Sequence, residues 1–506
     1  MSIAPDFDTF AKAYAAGEAG VLRATLLGDL LTPVAAFLKL RHERKGPAFL
    51  LESVEGGATR GRFSMIGLDP DLVWRCQDGV ASIDRRALNG LGEYRPESLP
   101  PLESLRALIR ESALPLSDEL PPMAAGLFGY LGYDMVRLME RLPEPNRDVL
   151  EVPDAILVRP TVMVVFDGVR DEISLITPVR PQDGVSARAA YETALSRLDE
   201  VTGALERPLP MEDRSDPTAI AFEPPLSNTS PDEFEAMVGR AKEYIRAGDI
   251  FQVVLSQRFE SAFPLPAFAL YRSLRRVNPA PFLCYLDFED FQIVCSSPEI
   301  LVRVRDGKVT IRPIAGTRPR GATAAEDRAH AESLLADQKE RAEHLMLLDL
   351  GRNDVGRVAE MGSVEVTDSF FLEFYSQVMH IVSNVEGRLD EGFDALDALA
   401  AGFPAGTVSG APKVRAMQII DELEKDKRGP YAGCIGYFGA NGEMDTCIVL
   451  RTAVVKDGRM AVQAGAGIVY DSDPASEQQE CVNKAKALFR AAEEAVRFAS
   501  QARFGQ

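Results

Sequence analysis

The sequence of 506 residues has few of the residues on which many metal and redox sites depend: six cysteines, four histidines and one tryptophan. No two cysteines form a C-x-x-C pair, so neighbours in sequence cannot build a zinc knuckle or a dithiol redox motif. We expect all six to be buried free thiols. None of the histidines lies in an H-E-x-x-H pattern, and no G-x-S-x-G nucleophile motif is present.

Long hydrophobic runs and a positive net charge are also missing. The longest apolar runs, such as residues 162–166, are much shorter than the ~18 residues that cross a bilayer. The first ten residues lack the basic and apolar regions of a secretory signal. A formal net charge of -20 repels phosphate backbones and anionic lipid. We therefore expect a cytoplasmic protein with neither a nucleic-acid nor a membrane partner.

Prolines and acidic residues interrupt every hydrophobic period in the segment 205–229. We predict that this segment links a smaller, mixed α/β N-terminal domain (residues 1–204) to a larger domain (residues 230–506). The length allows two or three cores at the usual ~150 residues per domain. Directly after the segment, Ser230-Pro231-Asp232-Glu233 predicts a capping box that opens a helix through about Arg246.

Alternating strand and helix patterns fill both predicted domains. In the first domain we predict strands at 47–53, 72–76, 156–166 and 173–177 and helices at 33–40 and 102–112. In the second we predict strands at 250–259, 377–385, 431–439, 444–455 and 460–469, and a helix that begins after Asp473. Asn441-Gly442 and Asp457-Gly458 are typical of two-residue hairpin turns, so the last strands should pair antiparallel. The fold class predicted is α+β.

Acidic residues recur in two pairs at a spacing of three: Glu340 with Glu343, and Glu477 with Glu480. Each pair shares one helix face, and two such faces together would offer Mg²⁺ the oxygen ligands it prefers. The acidic content alone gives about eleven such pairs by chance, which is the weakness of any short motif. Capping of a helix at Asp337 and an ion pair of Glu480 with Lys484 explain the same residues, so both interpretations stay open.

Three further features are candidates for ligand contact. Gly465 and Gly467 lie on one face of a predicted strand, where a ligand could reach backbone N–H groups or where the strand simply bends. On the neighbouring strand, Arg451 could grip a carboxylate or form a surface salt bridge. His380 lies among β-branched residues, which suits a half-buried, hydrogen-bonded histidine as well as one that transfers protons.

Several segments taken together resemble the chorismate-utilising enzymes. The matching runs are residues 278–281, 313–321, 343–354, 377–380, 403–413, 431–437, 465–469 and 477–484, with 50–53 in the first domain. The branch of the family that makes anthranilate fits best. Ala315 stands where aminodeoxychorismate synthases carry a nucleophilic lysine, and Gln252 stands where isochorismate synthases carry a lysine base. Those two activities remain alternatives, as does a tryptophan-binding subunit without catalysis.

The resemblance implies a large chorismate-binding domain of packed, mostly antiparallel sheets with outer helices, and a Mg²⁺-dependent reaction of chorismate with ammonia that yields anthranilate and pyruvate. It implies Mg²⁺ ligation by Glu343 and Glu480, with Glu340 and Glu477 acting through water. The implied catalytic residues are His380, Thr407 and Gln252. The implied substrate-binding residues are Gly316, Thr317, Tyr431, Arg451, Gly465, Ala466, Gly467 and Lys484.

The resemblance also implies regulation and a partner. The residues that match a tryptophan feedback site are Glu52, Ser53, Arg62, Pro281, Phe282 and Leu283. Ala280 and the pair Phe282-Leu283 depart from the Ser and Tyr-Met of many relatives. Nothing in the sequence resembles the nucleophilic cysteine of a glutaminase, so we expect ammonia to come from a separate glutamine amidotransferase subunit, in a heterotetramer.

Overall fold

The structure, a computed structural model, describes residues 2–55, 59–89, 92–117, 119–210, 223–375 and 378–499. Antiparallel strands with helices packed outside them confirm the predicted α+β class. All 23 strands in these ranges belong to one hydrogen-bonded network. No helix in this part of the chain combines the length and the apolar character needed to span a membrane.

The first 206 residues supply nine of the strands and four helices. Their order is β1 Ser2–Ala4, α1 Phe7–Ala15, β2 Gly20–Leu27, α2 Pro33–Arg41, β3 Ala48–Glu55, β4 Thr59–Gln77, β5 Val80–Asp84, β6 Arg95–Pro96, α3 Pro101–Ser112, β7 Gly126–Leu131, β8 Ala155–Asp167, β9 Glu172–Val179 and α4 Ala187–Glu206. The strands and helices predicted here lie within these elements or within a residue of them.

The rest of the described chain supplies the remaining elements. Their order is β10 Leu226–Ser227, α5 Pro231–Ala247, β11 Gln252–Ala262, α6 Ala267–Val277, β12 Phe282–Asp287, β13 Phe291–Ser297, β14 Ile300–Arg305, β15 Lys308–Ile311, β16 Ile314–Pro319, α7 Ala324–Ala336, α8 Gln338–Gly356, β17 Glu365–Phe374, β18 Val378–Arg388, α9 Ala395–Gly402, β19 Gly410–Ala411, α10 Lys413–Leu423, β20 Cys434–Gly439, β21 Met444–Ile448, β22 Thr452–Lys456, β23 Arg459–Ile468 and α11 Pro474–Ala499.

The N-terminus of α5 has the predicted capping box. The Ser230 hydroxyl accepts a hydrogen bond from the Glu233 backbone N–H at 3.3 Å, and the Glu233 carboxylate accepts one from the Ser230 N–H at 2.8 Å. Two of the four N–H groups that a helix leaves unpaired at its start are thereby satisfied. The helix ends at Gly248, whose φ of 84° suits a residue without a side chain.

The predicted strand 444–455 is wrong as a single strand, because it is divided into β21 and β22. Arg451 lies between the two with a φ of 47°, a left-handed conformation that interrupts an extended chain. Before the break β21 pairs with β14 and β20, and after it β22 pairs with β13 and β23. Arg451 therefore lies in a bend between two strands. The prediction that it lies on a strand is wrong.

Strands from both sides of the segment 205–229 pair with each other. β3 pairs with β12, and β7 pairs with β20. Two apolar clusters lie beneath these ladders, and each contains residues from both sides. The division into domains stays a prediction, and residues 211–222 of the predicted linker lie outside the described residues.

Two helices and one ladder position the candidate site. β23 pairs with β11 over ten residues, from Ile468 opposite Val253 to Arg459 opposite Ala262. α11 packs on β23, and α8 packs on β16 and β18. Asp337 caps α8, its carboxylate accepting from the N–H groups of Lys339 and Glu340. The first turns of α8 and α11 therefore both reach the end of the β11–β23 ladder.

Candidate active site

A cavity of about 440 Å³ lies where α8, α11, β16, β18 and β23 meet. The structure brings most of the sequence-predicted site residues to its walls: Gln252, Gly316, Thr317, Glu340, Glu343, His380, Thr407, Tyr431, Arg451, Gly465, Gly467, Glu477, Glu480 and Lys484. It does not bring the side chain of Ala466 there. That residue is fully buried in the main core, because successive residues of a strand face opposite sides.

Four carboxylates face the cavity from the first two turns of α8 and of α11. Burial raises the pKa of Glu343, and the negative charges of Glu340 and Glu480 raise it further. Burial, followed by the charge of Glu480, raises the pKa of Glu477. Neither Glu343 nor Glu477 forms an ion pair with another described residue. Carboxylates that destabilise one another's charge in this way favour binding of a cation.

Two cations already contact the remaining carboxylates. Arg318 donates from Nη1 to Glu340 at 2.9 Å and from Nη2 to Asp337 at 2.8 Å. Lys484 lies 2.7 Å from Glu480 and also donates to the carbonyl of Gly465 at 2.9 Å. The ion pair of Glu480 with Lys484, which the sequence offered as an alternative to metal binding, is present. Glu480 nevertheless lines the cavity.

His380 is a buried residue of β18. Its Nδ1 lies 2.8 Å from the carbonyl oxygen of Gly316 and 3.2 Å from Oγ1 of Thr317. A carbonyl oxygen only accepts, so Nδ1 carries the proton and Nε2 keeps a free lone pair. Burial lowers the pKa of His380 to about 4, so the ring is neutral near pH 7. This arrangement leaves Nε2 ready to accept a proton.

Glu299, which the sequence reasoning missed, is a buried wall residue of the same cavity. Burial raises its pKa to about 8, although a hydrogen bond from Thr407 opposes that shift. The Thr407 hydroxyl donates to Oε1 of Glu299 at 3.1 Å. The carboxyl group is therefore a neutral acid near pH 7. One signal could have revealed it, since Glu299 is the sole acidic residue in the apolar stretch 291–304.

The glycines of β23 give the cavity its depth. A Cβ atom at Gly467 would lie 2.6 Å from Nε2 of Gln252, and one at Gly465 would lie 2.8 Å from the hydroxyl of Tyr431. Any side chain would therefore close this wall. Gln252 itself is buried, and its Oε1 has no hydrogen-bond donor among the described residues. The cavity thus contains an unused acceptor.

Arg451 supplies positive charge to the lining of the cavity. Burial lowers the pKa of Arg451, and no carboxylate of the described residues pairs with it. A buried guanidinium with no carboxylate partner is suited to a carboxylate ligand. With four carboxylates, Lys484 and the buried guanidinium of Arg451 on its walls, the cavity suits a small anion bound together with a cation.

A second cavity, of about 950 Å³, lies beside β3, β4 and β12. It is lined by five of the predicted tryptophan-site residues: Glu52, Ser53, Arg62, Pro281 and Phe282. The structure does not bring Leu283 there, because Leu283 faces the opposite side of β12 and packs in the main core. Arg62 is already paired with Asp167 at 2.9 Å.

Glu52 is buried and accepts hydrogen bonds from the Tyr271 hydroxyl at 2.5 Å and from Arg275 at 2.9 Å. Arg275 is the cation that neutralises it, with an ion pair in which Glu52 is almost fully buried. The carboxylate is thus held in one orientation at the edge of the cavity.

The two cavities share a wall. Pro298 and Ile314 line both of them. On the side of the larger cavity, the Tyr375 hydroxyl donates to Glu373 at 2.7 Å, and Glu373 also pairs with Arg312. The ring of Tyr375 meets the His380 ring edge to face, with centroids 5.6 Å apart. A continuous set of contacts therefore runs from the larger cavity to His380.

Comparison with known proteins shows the family of this chain. Residues 47–490 match the family of chorismate binding enzymes. The chain belongs to that family and is an enzyme of the chorismate-utilising kind. It is 56% identical over 496 residues to anthranilate synthase component 1 of Cereibacter sphaeroides, covering 98% of this chain and 99% of the relative. It is 48% identical over 475 residues to anthranilate synthase component 1 of Thermus thermophilus, covering 93% and 97%.

Solved structures give the same result. Anthranilate synthase component I of Streptococcus pneumoniae superposes with a TM-score of 0.76 at 40% identity, covering 92% of this chain and 99% of that one. The menaquinone-specific isochorismate synthase of Escherichia coli shares the fold, with a TM-score of 0.70 at 19% identity over 96% and 98% of the two chains. The predicted family and fold are confirmed.

Proposed function

We propose that the chain converts chorismate and ammonia to anthranilate, pyruvate and water; its relatives are named anthranilate synthases. One observation carries the proposal: a single cavity joins four carboxylates to a glycine wall with a buried arginine. A dicarboxylate such as chorismate needs a cation for one carboxylate and donors for the other. In this proposal Arg451, the N–H groups at 465–467 and the hydroxyl of Tyr431 hold the enolpyruvyl carboxylate.

Glu343 and Glu480 would ligate Mg²⁺, and Glu340 and Glu477 would act through water. The fit rests on the donor set, since hard oxygens suit Mg²⁺, and burial together with neighbouring negative charge raises the pKa of Glu343 and of Glu477. Bound there, Mg²⁺ would polarise the ring carboxylate as a Lewis acid and ease departure of the hydroxyl. The protein residues then perform the proton transfers.

In the first step ammonia forms a bond to ring C2, the two ring double bonds shift, and the C4–O bond breaks. The unused Oε1 of Gln252 can accept an N–H of ammonia and direct its lone pair to the ring. Glu299, neutral near pH 7, donates the proton that lets the hydroxyl leave as water. The proton released by the attacking nitrogen restores the carboxyl group, so charge and atoms balance.

In the second step the ring loses its C2 proton and the C3–O bond to the enolpyruvyl group breaks. Neutral His380 accepts the C2 proton at Nε2, while Gly316 holds Nδ1–H in place. The departing enolpyruvate takes up a proton at its methylene carbon and leaves as pyruvate. The ring becomes aromatic, which drives the step.

Two wall residues favour this reaction over its alternatives. Ala315 and Gln252 both line the cavity at the positions where a lysine would serve aminodeoxychorismate or isochorismate synthesis. Alanine cannot attack the ring, and a glutamine amide is too weak a base to activate water. Ammonia, which needs only orientation, remains the nucleophile that this cavity supports.

Two finer proposals concern ammonia and regulation. We propose that a separate glutaminase, the second component that the relatives' names imply, supplies the ammonia. We also propose that tryptophan binds the larger cavity, with Glu52 and Ser53 at its head group and Pro281 and Phe282 at its side chain. The wall shared with the active site, together with Tyr375, is the route by which it would disturb His380.

The test is to incubate the purified chain with chorismate, Mg²⁺ and ammonium chloride and to follow anthranilate fluorescence. Anthranilate should form, and replacing ammonium with glutamine should abolish it. The variant Glu480→Gln should be inactive while keeping the thermal stability of the parent chain. Formation of isochorismate or aminodeoxychorismate in place of anthranilate would disprove the assignment, and turnover with glutamine alone would disprove the separate glutaminase.

A further inference from the structure

Three cysteines that no proposed function uses form a compact cluster. Cys284, Cys295 and Cys447 place their sulfur atoms within 4.8 Å of one another, and all three are buried free thiols. No other group of three or more histidine, cysteine, aspartate or glutamate residues in the described ranges comes this close together. The four active-site glutamates therefore do not form so tight a group.

Strand pairing builds the cluster from distant parts of the sequence. Cys284 on β12 lies directly opposite Cys295 on β13 in their antiparallel ladder. Cys447 comes from β21, which pairs with β14 and β20 in place of β13. Because the strands belong to one hydrogen-bonded network, the three thiols are held together without a disulfide between them.

The cluster is accessible from one side. Cys284 and Cys447 line the cavity of about 950 Å³ that we propose for tryptophan. The third thiol, Cys295, lies behind them with none of its surface exposed. An ion or small neutral molecule that enters the cavity therefore reaches the sulfurs of Cys284 and Cys447 first. A small shift of the side chains would then bring the sulfur of Cys295 within bonding distance.

The geometry defines the kind of ion. Sulfur bonds of about 2.3 Å place the sulfurs about 4 Å apart around a planar three-coordinate centre and closer together around a pyramidal one, so the thiols must move inward from the present spacing of up to 4.8 Å. Soft thiolates select soft ions. Zinc takes four ligands in closed sites, and the group contains no fourth. The site is therefore matched to a three-coordinate, thiophilic centre.

Charge decides between such ions. Three thiolates around a monovalent ion such as Cu⁺ would bury two net negative charges in an apolar core, which is costly. Arsenous acid avoids this cost, because As(OH)₃ and three neutral thiols give a neutral arsenic trithiolate and three waters. Three As–O and three S–H bonds break, three As–S and three O–H bonds form, and no electron is transferred.

We propose that Cys284, Cys295 and Cys447 form a binding site for a trivalent, thiophilic ion, with arsenic(III) as the matching chemistry. The test is equilibrium dialysis of the full chain against sodium arsenite, with elemental analysis of arsenic per chain and near-ultraviolet absorption of the As–S bonds. We expect one arsenic per chain. Cys447→Ala and Cys284→Ser should each weaken binding at least tenfold.

Cys76→Ser is the matched control, because Cys76 is also buried but lies outside the cluster. It should bind arsenic as the parent chain does. Equal binding by the parent and by Cys447→Ala, with both chains folded by circular dichroism, would overturn the proposal. Tighter binding of Cu⁺ than of arsenic(III) would overturn the charge argument, and comparable binding of Zn²⁺ would overturn the three-coordinate geometry. Chorismate turnover enters none of these readouts, so the proposed function is tested separately.

Discussion

The protonation of Glu299 is the feature of the site that offers the sharpest prediction. With a pKa of about 8, the carboxyl group is about 90% protonated at about pH 7 and about 10% protonated at about pH 9. If Glu299 delivers the proton to the leaving hydroxyl, kcat/KM for chorismate should fall about tenfold between those values. Glu299→Gln removes the proton donor and should lower kcat by about 10²- to 10⁴-fold at any pH.

The assay must separate Glu299 from ammonia, which also titrates in this range. Anthranilate fluorescence should therefore be followed at a constant concentration of free NH₃, with total ammonium adjusted at each pH. Thr407→Val is an informative companion variant, because the Thr407 hydrogen bond lowers the pKa of Glu299. Its loss should move the basic limb to higher pH. An unchanged basic limb in Glu299→Gln, or a kcat close to that of the parent, would refute the role.

Four further predictions follow from the two cavities. Ser53→Phe should abolish inhibition by tryptophan while ammonia-dependent turnover persists. Leu283→Met, on the other face of β12, should leave inhibition intact. Inhibition that survives Ser53→Phe would show that Ser53 is not part of the site. Tyr375→Phe should raise the tryptophan concentration for half inhibition by a larger factor than it changes kcat, and an unchanged value would exclude the shared wall as the route. Gly467→Ala should raise the KM for chorismate at least tenfold, because its Cβ would meet Gln252 at 2.6 Å, and a normal KM would show that this wall does not contact substrate. Chelation of divalent ions should abolish turnover and added Mg²⁺ should restore it, whereas full activity in chelator would exclude the metal.

A stability prediction follows from the same pKa shifts. Glu299 has a folded pKa above its unfolded value, so its contribution is most favourable at low pH and is lost as pH rises toward about 8. His380 has a folded pKa below its unfolded value. The folded state therefore loses stability as the pH falls from about 6.5 to about 4. Urea unfolding of Glu299→Gln should show a weaker decline between about pH 5 and pH 8 than that of the parent chain. An identical decline would contradict the assigned burial.

Local signals in the sequence predicted much of the fold. The capping box at Ser230 and the glycine turns of the last hairpins depend on neighbouring residues, so they could be predicted without a structure. The break at Arg451 could not, because the strand changes partners there and partner choice depends on residues far away in sequence. The alternation of apolar and polar residues does not show where an extended segment changes its pairing partners.

The candidate site shows the same contrast. The matching sequence runs predicted mostly residues that line one of the two cavities. They also included Ala466 and Leu283, which share a strand with wall residues but face away from the cavity. Glu299 was missed because a lone carboxyl group in an apolar stretch has no partner at a regular spacing. The cysteine cluster was invisible for a related reason, since its members are separated by up to 163 positions between Cys284 and Cys447.

The pairing of β3 with β12 limits how this protein can change over generations. Ser53 lies opposite Phe282 in that ladder, and Leu51 lies opposite Cys284. A one-residue insertion in either strand would turn every side chain of its remainder to the other face. The cavity proposed for tryptophan and the candidate active site thus belong to one strand network. If tryptophan inhibits as proposed, we expect single side-chain substitutions, and not the loss of a separate module, to remove that inhibition.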